Sequence, residues 1–220
     1  MYWSDEGFLL SRYNFAENSI IVETFTLDHG KYSGIVYGGS SRKQKKNFQI
    51  GNKILFNWKS RGENKSGYFN VELIQPIAPF FFDNKKKTAC ILAASGILKI
   101  LLPENQVNKI IYKSFEKMLN DLKLDNWIYL YVYWELSLIK ELGYEVSFLQ
   151  DPKYLNKSIQ INNKYFKIPK LLLKDHKQRS SITDIREALV FNKNLLIENF
   201  INPNRLKFPL FRDLLEKYYI

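Results

Sequence analysis

Four cations, Arg42, Lys43, Lys45 and Lys46, follow directly on the run Gly38-Gly39-Ser40-Ser41. Such a loop suits a phosphate backbone: glycine lets the main chain approach closely, and Lys and Arg neutralise phosphate charge. The loop leaves a strand-like stretch, Lys31 to Tyr37, which itself follows an Asp28-His29-Gly30 turn. Arg12, Lys31, Lys53, Lys59, Arg61 and Lys65 add positive charge through the same third of the chain, interleaved with Tyr13, Tyr32, Tyr37, Trp58 and Tyr68. Charge for the backbone and rings for the bases is the chemistry of single-strand binding. Trp58 shares a side with Ile54 and Phe56 and reads as core; for the tyrosines, core and surface both stay open.

Residues for catalysis do not assemble in the same way. His29 and His176 stand far apart, each preceded by Asp and followed within two residues by Lys, in what reads as turn chemistry. The single cysteine, Cys90, lies in an apolar segment with no cation beside it to stabilise a thiolate, so it reads as a small core residue. No Cys/His cluster has zinc spacing, and neither GxxxxGK[ST] nor GxGxxG occurs. Asp5 and Glu6 are adjacent, and on a strand adjacent side chains point to opposite faces. The expectation is a binding protein with no catalytic residue, no metal, no cofactor and no small-molecule substrate.

The bulk composition agrees with that reading. The chain has 220 residues, 45% hydrophobic and 25% charged, with a formal net charge of +11. That is a globular composition with a polyanionic partner indicated, nucleic acid or an anionic membrane. One cysteine excludes a disulfide framework. The opening MYWSDEGF carries acids where a signal peptide carries bases, and the uncharged run Thr88 to Leu98 is too short for a bilayer. A cytoplasmic protein without membrane contact is expected, nucleoid-associated if the polyanion is DNA.

The elements that must position the cations divide the chain in two. Up to Ile74 the apolar period is two: around Phe8 to Leu10, Ser19 to Thr26, Lys31 to Tyr37, Lys53 to Lys59 and Tyr68 to Leu73. Five short strands with turns between them fit a small closed barrel, and the five-stranded OB-fold leads that class. Pro76 and Pro79 end this part. From Lys85 the period becomes helical. Ala89 to Leu102 is apolar nearly all round and is stopped by Pro103. Val107, Ile110, Ile111, Phe115, Met118, Leu119 and Leu122 mark one face of a second helix. Trp127 to Leu142 marks a third, with Asp125 as cap and Gly143 as stop. Ser158 to Ile168 reads as a hairpin about Asn162-Asn163, and Ser181 with Asp184 as a capping box for a long helix. The fold class is α+β in two domains: residues 1–78 as an OB-fold barrel that binds nucleic acid, and 79–220 as a helical bundle with an irregular or hairpin insert near 146–180. Lys170, Lys174, Lys177 and Arg179 would extend the basic surface into the second domain.

The order and spacing of several short motifs resemble the RecO family of bacterial recombination mediators. They are the opening WSDEGFLLSRYNFAENSIIVETFTLDHGKYSGIVYGGSSRK, then Ile50-Gly51-Asn52 followed by Phe56-Asn57-Trp58, then Asn126 to Gly143 with its Leu-Gly ending. The resemblance is specific over the first 75 residues, fair to 145 and weak beyond. It implies an N-terminal OB-fold, a helical C-terminal domain, binding of single- and double-stranded DNA, and annealing of complementary strands. It also implies partnership with RecR and with the acidic C-terminal tail of SSB, in loading RecA onto SSB-coated DNA. Lys31 and the Arg42–Lys46 loop match the family's basic OB-fold positions. Many members carry a four-cysteine zinc site between the later helices; this chain has no cysteine there, and the Ser158–Ile168 hairpin is expected in its place.

Two other readings stand beside this one. An RNA- or ribosome-binding OB-fold protein would prefer structured RNA. An enzyme with scattered catalytic residues would show a deep pocket with converging carboxylates or paired histidines.

Overall fold

The computed structural model describes residues 2–60, 67–144, 158–173 and 181–220, apart from the side chains of Lys43 and Lys45. Its first strand, β1, runs Tyr2–Ala16 and is followed by β2 (Ser19–Thr26) and β3 (Gly30–Tyr37). A short helical turn, α1 (Arg42–Lys45), then precedes β4 (Lys53–Lys59) and β5 (Tyr68–Gln75). The strands close into a barrel in the order β1-β2-β3-β5-β4, with β1 pairing β4 through its first half and β2 through its second. One long strand can serve both neighbours because the β1–β2 register slips between Leu9 and Ser11, which bends the strand. This is the five-stranded OB-fold arrangement expected from the period-two pattern.

Phe8, Leu9 and Leu10 are all buried, where a strand with one covered face would bury only every other residue, because this part of β1 is covered on both sides. Leu9 joins the barrel interior with Trp3, Ile20, Val22, Val36, Phe48, Ile54, Phe56, Trp58 and Phe69. Phe8 points outward, onto Tyr112 and Phe115, with ring centroids 5.2 Å apart in each case. Trp58 is core, and Gly34 makes room for it: a Cβ there would meet the Trp58 ring at 2.6 Å.

A 3-10 turn, Ala78–Phe81, leads into α2 (Lys85–Leu101) and α3 (Lys109–Asp121). Asn84 caps α2 by accepting from the Lys87 amide, and Pro103 follows just past its end. The inner face of α3 is Ile111, Tyr112, Phe115, Met118 and Leu119. Ile110 and Val107, expected on that face, are exposed, because Tyr112 rather than Ile110 turns toward Phe8 and Phe25. Residues 1–119, barrel and both helices, form one compact unit.

The second compact unit is 120–220. It contains α4 (Trp127–Glu141), the hairpin β6 (Ser158–Ile161) and β7 (Lys164–Lys167), α5 (Lys170–Leu173), α6 (Ile182–Leu196) and α7 (Leu210–Lys217). The cap of α4 is Asn126 rather than Asp125, and Gly143, at φ 96°, ends it. Asn162 and Asn163 both take positive φ, the two-residue hairpin turn that Asn tolerates best after glycine. Ser181 and Asp184 form the expected capping box, each side chain bonded to the other's amide. The centre of this unit is ionic. Arg212, fully buried, donates through Nε and Nη2 to the buried Glu135 carboxylate, the latter contact 3.0 Å long, and through Nη2 to the Leu189 carbonyl. Among the described residues no helix is long and apolar enough to cross a membrane.

Candidate nucleic-acid interface

The Gly38–Lys46 stretch forms a built loop. Gly38 takes φ 71°, Gly39 packs its bare Cα against Ile20, and the Ser40 hydroxyl donates to the Glu17 carbonyl at 3.1 Å. The loop is thus tied to the tip of the β1–β2 hairpin. Ser41 then caps α1, its Oγ accepting from the Gln44 amide at 3.4 Å. Past the turn, Asn47 donates to the Gln44 side chain, and Phe48 plunges into the barrel core with no exposed surface. Asn52, also fully buried, donates to the Asn47 carbonyl and accepts from the Ile77 and Ala78 amides. Hairpin tip, cap and buried phenylalanine hold the turn at both ends, and Arg42 and Lys46 are exposed on it.

The other expected cations fall into three groups. Lys59 is exposed at the end of β4, Arg12 is half-buried on β1, and Lys170 is exposed at the start of α5. Lys31 is instead buried, at 8% exposure, with its ammonium donating to the Lys99 carbonyl at 2.8 Å. Lys53 is neutralised by Glu6 at 2.8 Å and Glu116 at 2.9 Å. Burial pulls its pKa down, but the two carboxylates outweigh that and hold it above the ordinary value. The remaining expected cations, Arg61, Lys65, Lys174, Lys177 and Arg179, lie outside the described residues, as do the side chains of Lys43 and Lys45.

The burial of Lys31 belongs to a wider arrangement at the Asp28-His29-Gly30 turn. Asp5, itself buried, accepts through Oδ2 from the Asp28 and His29 amides and lies 2.9 Å from His29 Nδ1. The His29 ring stacks on Trp3, centroids 4.1 Å apart and planes 10° from parallel. Gly30, at φ 77°, lies where a Cβ would meet the Gln106 carbonyl at 2.1 Å, and Asn105 donates its amide to the Lys31 carbonyl. Lys109 reaches Asp28 at 2.6 Å. This turn therefore fastens the barrel to α2 and α3. His29 has a structural partner in Asp5; His176 lies outside the described residues.

Glu23 organises the neighbouring outer surface of β2. Its carboxylate accepts from Ser11, from the Tyr13 hydroxyl at 2.9 Å, and from Lys99 at 3.0 Å. Lys99 lies 4.5 Å from the Tyr13 ring centre, and burial lowers its pKa. Of the aromatics, Tyr32 packs against the barrel core, while Tyr13 and Tyr37 are exposed and Tyr68 half-exposed. Sequence reasoning missed Tyr2, which is 69% exposed and pairs with Lys59 across the β1–β4 ladder. It also missed Phe48 as the anchor of the basic turn, since one Phe between Asn47 and Gln49 carries no periodic signal.

In the second unit, β7 and α6 enclose a cleft of about 500 Å³. Phe166, Pro169, Val190 and Phe191 line it, with Lys167, Arg186 and Glu187 among its polar groups. With one cysteine in the chain, buried in α2, a four-cysteine zinc site cannot form.

Two protein-family models match the sequence: Recombination protein O N terminal over residues 1–77, and Recombination protein O C terminal over residues 84–154. Among curated proteins, the chain is 32% identical over 148 residues to the DNA repair protein RecO of Roseobacter denitrificans, covering 67% of this chain and 61% of that protein. It is 34% identical over 147 residues to the DNA repair protein RecO of Hyphomonas neptunium, 66% of this chain and 60% of the relative. The match to the Ehrlichia chaffeensis protein of the same name is 33% over 146 residues, 66% and 59% of the two lengths. The matched part of the chain thus spans about three fifths of each of these relatives.

Proposed function

This chain belongs to the RecO family, and from that premise we propose that it is a DNA repair and recombination mediator without a catalytic step of its own. It binds single- and double-stranded DNA, anneals complementary strands and, with RecR, helps load RecA onto SSB-coated DNA. The observation that carries the reading is the anchored basic turn. Arg42 and Lys46 stand exposed on a loop tied at Ser40 and Phe48 to an OB-fold barrel, where a flexible strand's phosphates can reach them. Annealing needs no reacting side chain. A surface that screens the repulsion between two phosphate backbones and leaves the bases free is sufficient.

The acidic tail of SSB is assigned to the cleft between β7 and α6, where Lys167 and Arg186 flank an apolar floor of Phe166, Val190 and Phe191. The cytosol is the setting for such a partner set.

The test is annealing of two complementary SSB-coated oligonucleotides by the wild-type protein and by a variant with Arg42, Lys43, Lys45 and Lys46 changed to Ala. Annealing by the wild type and its loss in a folded variant is the expected result. A wild type that neither binds nor anneals DNA at low salt overturns the reading and sends the search to structured RNA.

A further inference from the structure

The outer face of β1, β4 and β5 is laid out in rows by the strand register. Tyr2, Lys59 and Tyr68 are cross-strand partners in the first row. Ser4, Asn57 and Asn70 form the second, and Glu6, Leu55 and Glu72 the third. Directly paired residues of an antiparallel ladder project to the same side. The alternate residues Trp3, Phe56, Trp58 and Phe69 point inward and are buried. Rows advance by two residues, about 7 Å. The face therefore grades from aromatic and cationic, through neutral amides, to acidic in about 14 Å.

The first row continues onto a fourth strand. The rings of Tyr68 and Tyr37 lie 6.1 Å apart, and Tyr37 is 69% exposed at the end of β3, immediately before the Gly38 loop that carries Arg42 and Lys46. Three tyrosines and one lysine thus run in a band from Tyr2 to the basic turn. None of the three tyrosines belongs to the barrel core.

From this band we infer a base-stacking platform for unpaired nucleotides. Tyr2, Tyr68 and Tyr37 offer ring faces to successive bases, Lys59 neutralises a phosphate between them, and the strand's continuation reaches Arg42 and Lys46. A tyrosine presents a rigid ring to any base, so the platform reads no sequence. It runs across β1, β4 and β5 to the end of β3 rather than over the middle of the β2–β3 face that OB-folds commonly use. In this chain Glu104, through Ser33 and the Lys31 bridge, and Lys99, through Glu23, occupy part of that face. The third row presents the Glu72 carboxylate beside the neutralised Glu6–Lys53 pair, so it disfavours a phosphate strand running down the sheet and leaves the path across it. The inference rests on the DNA-binding reading above and adds which contacts distinguish single strands from duplex: stacked bases inside a duplex cannot reach these rings.

The experiment compares an oligothymidylate of about 16 nucleotides with an equally long strand whose central sites are abasic. Three proteins are titrated: wild type, the variant Tyr2→Ala/Tyr37→Ala/Tyr68→Ala, and Tyr37→Phe/Tyr68→Phe, each checked for native circular dichroism. The platform predicts that wild type prefers the base-bearing strand by about tenfold or more. The Ala variant loses that preference with its salt dependence unchanged, and the Phe variant keeps it. Equal wild-type affinity for both strands, or an Ala variant that retains the preference, overturns the platform while leaving phosphate binding in place. Wild-type binding to neither strand overturns the DNA-binding reading itself, and the platform with it.

Discussion

The ammonium of Lys31 donates to the carbonyl of Lys99, 68 residues away, at 2.8 Å, and Lys31 is 8% exposed. A lysine at a basic position of an OB-fold thus spends its charge on the C-terminal turn of α2, where a cation also complements the helix dipole. Lys31→Met keeps the volume and removes the donor. Urea unfolding is expected to show a loss of about 1–3 kcal/mol, with DNA affinity and its salt dependence unchanged. A Lys31→Met protein of native stability that binds DNA more weakly would place Lys31 at the interface.

Exposed cations on the basic turn carry the opposite expectation. Each phosphate contact to a single strand contributes about 0.7 to the slope of log K against log salt. Arg42→Ala/Lys46→Ala is therefore expected to reduce that slope by about 1.4, without shifting the denaturation midpoint, since both residues are exposed. A fluorescence titration across salt concentrations reads the slope directly.

Arg212 and Glu135 are both fully buried and bonded to each other. Desolvation alone would lower the pKa of Arg212; the charge of Glu135, with Tyr131 and Glu216 adding to it, raises it instead. Removing one partner strands the other's charge. Glu135→Leu or Arg212→Met alone is expected to cost about 3–5 kcal/mol, and the double variant to recover most of it. Calorimetry of the three variants separates this coupling from simple loss of packing.

Tyr112 lies under the barrel against Phe8 and Phe25, its hydroxyl donating weakly to the Glu6 carbonyl at 3.5 Å. Burial, then the carboxylates of Glu116, Glu6, Asp5 and Asp28, push its phenol well above the ordinary value of 10. The unfolded chain ionises this phenol first, so its contribution is intact below pH 10 and declines as pH rises above 10 toward the folded-state value. Tyr112→Phe should flatten that alkaline decline, as measured by urea midpoints at successive pH values.

Gly30→Ala places a methyl where the Gln106 carbonyl already is, at a φ of 77° that alanine avoids. The expected result is destabilisation of about 1–3 kcal/mol or more, with hydrogen exchange accelerated in the 103–108 segment first. Unchanged exchange there would mean that the segment is held by something other than its seat on the turn.

Much of this molecule can be read along the chain, because local physics specifies it. Period-two patterning places five strands and turns Trp58 inward; Pro103 stops α2; Ser181 with Asp184 starts α6; Asn162-Asn163 turns a hairpin. The run of glycines, serines and cations before residue 47 declares a basic loop because loop chemistry is local. Tertiary structure decided which charges remain available. Lys31 and Lys59 look alike in sequence, each a lysine on a strand, yet one meets the end of α2 and the other meets solvent. The row of Tyr2, Lys59 and Tyr68 exists only through strand register, and the Arg212–Glu135 pair joins residues 77 apart. Alternation tells which side of its own strand a residue takes; only the packed neighbour decides whether that side is covered, and by what charge.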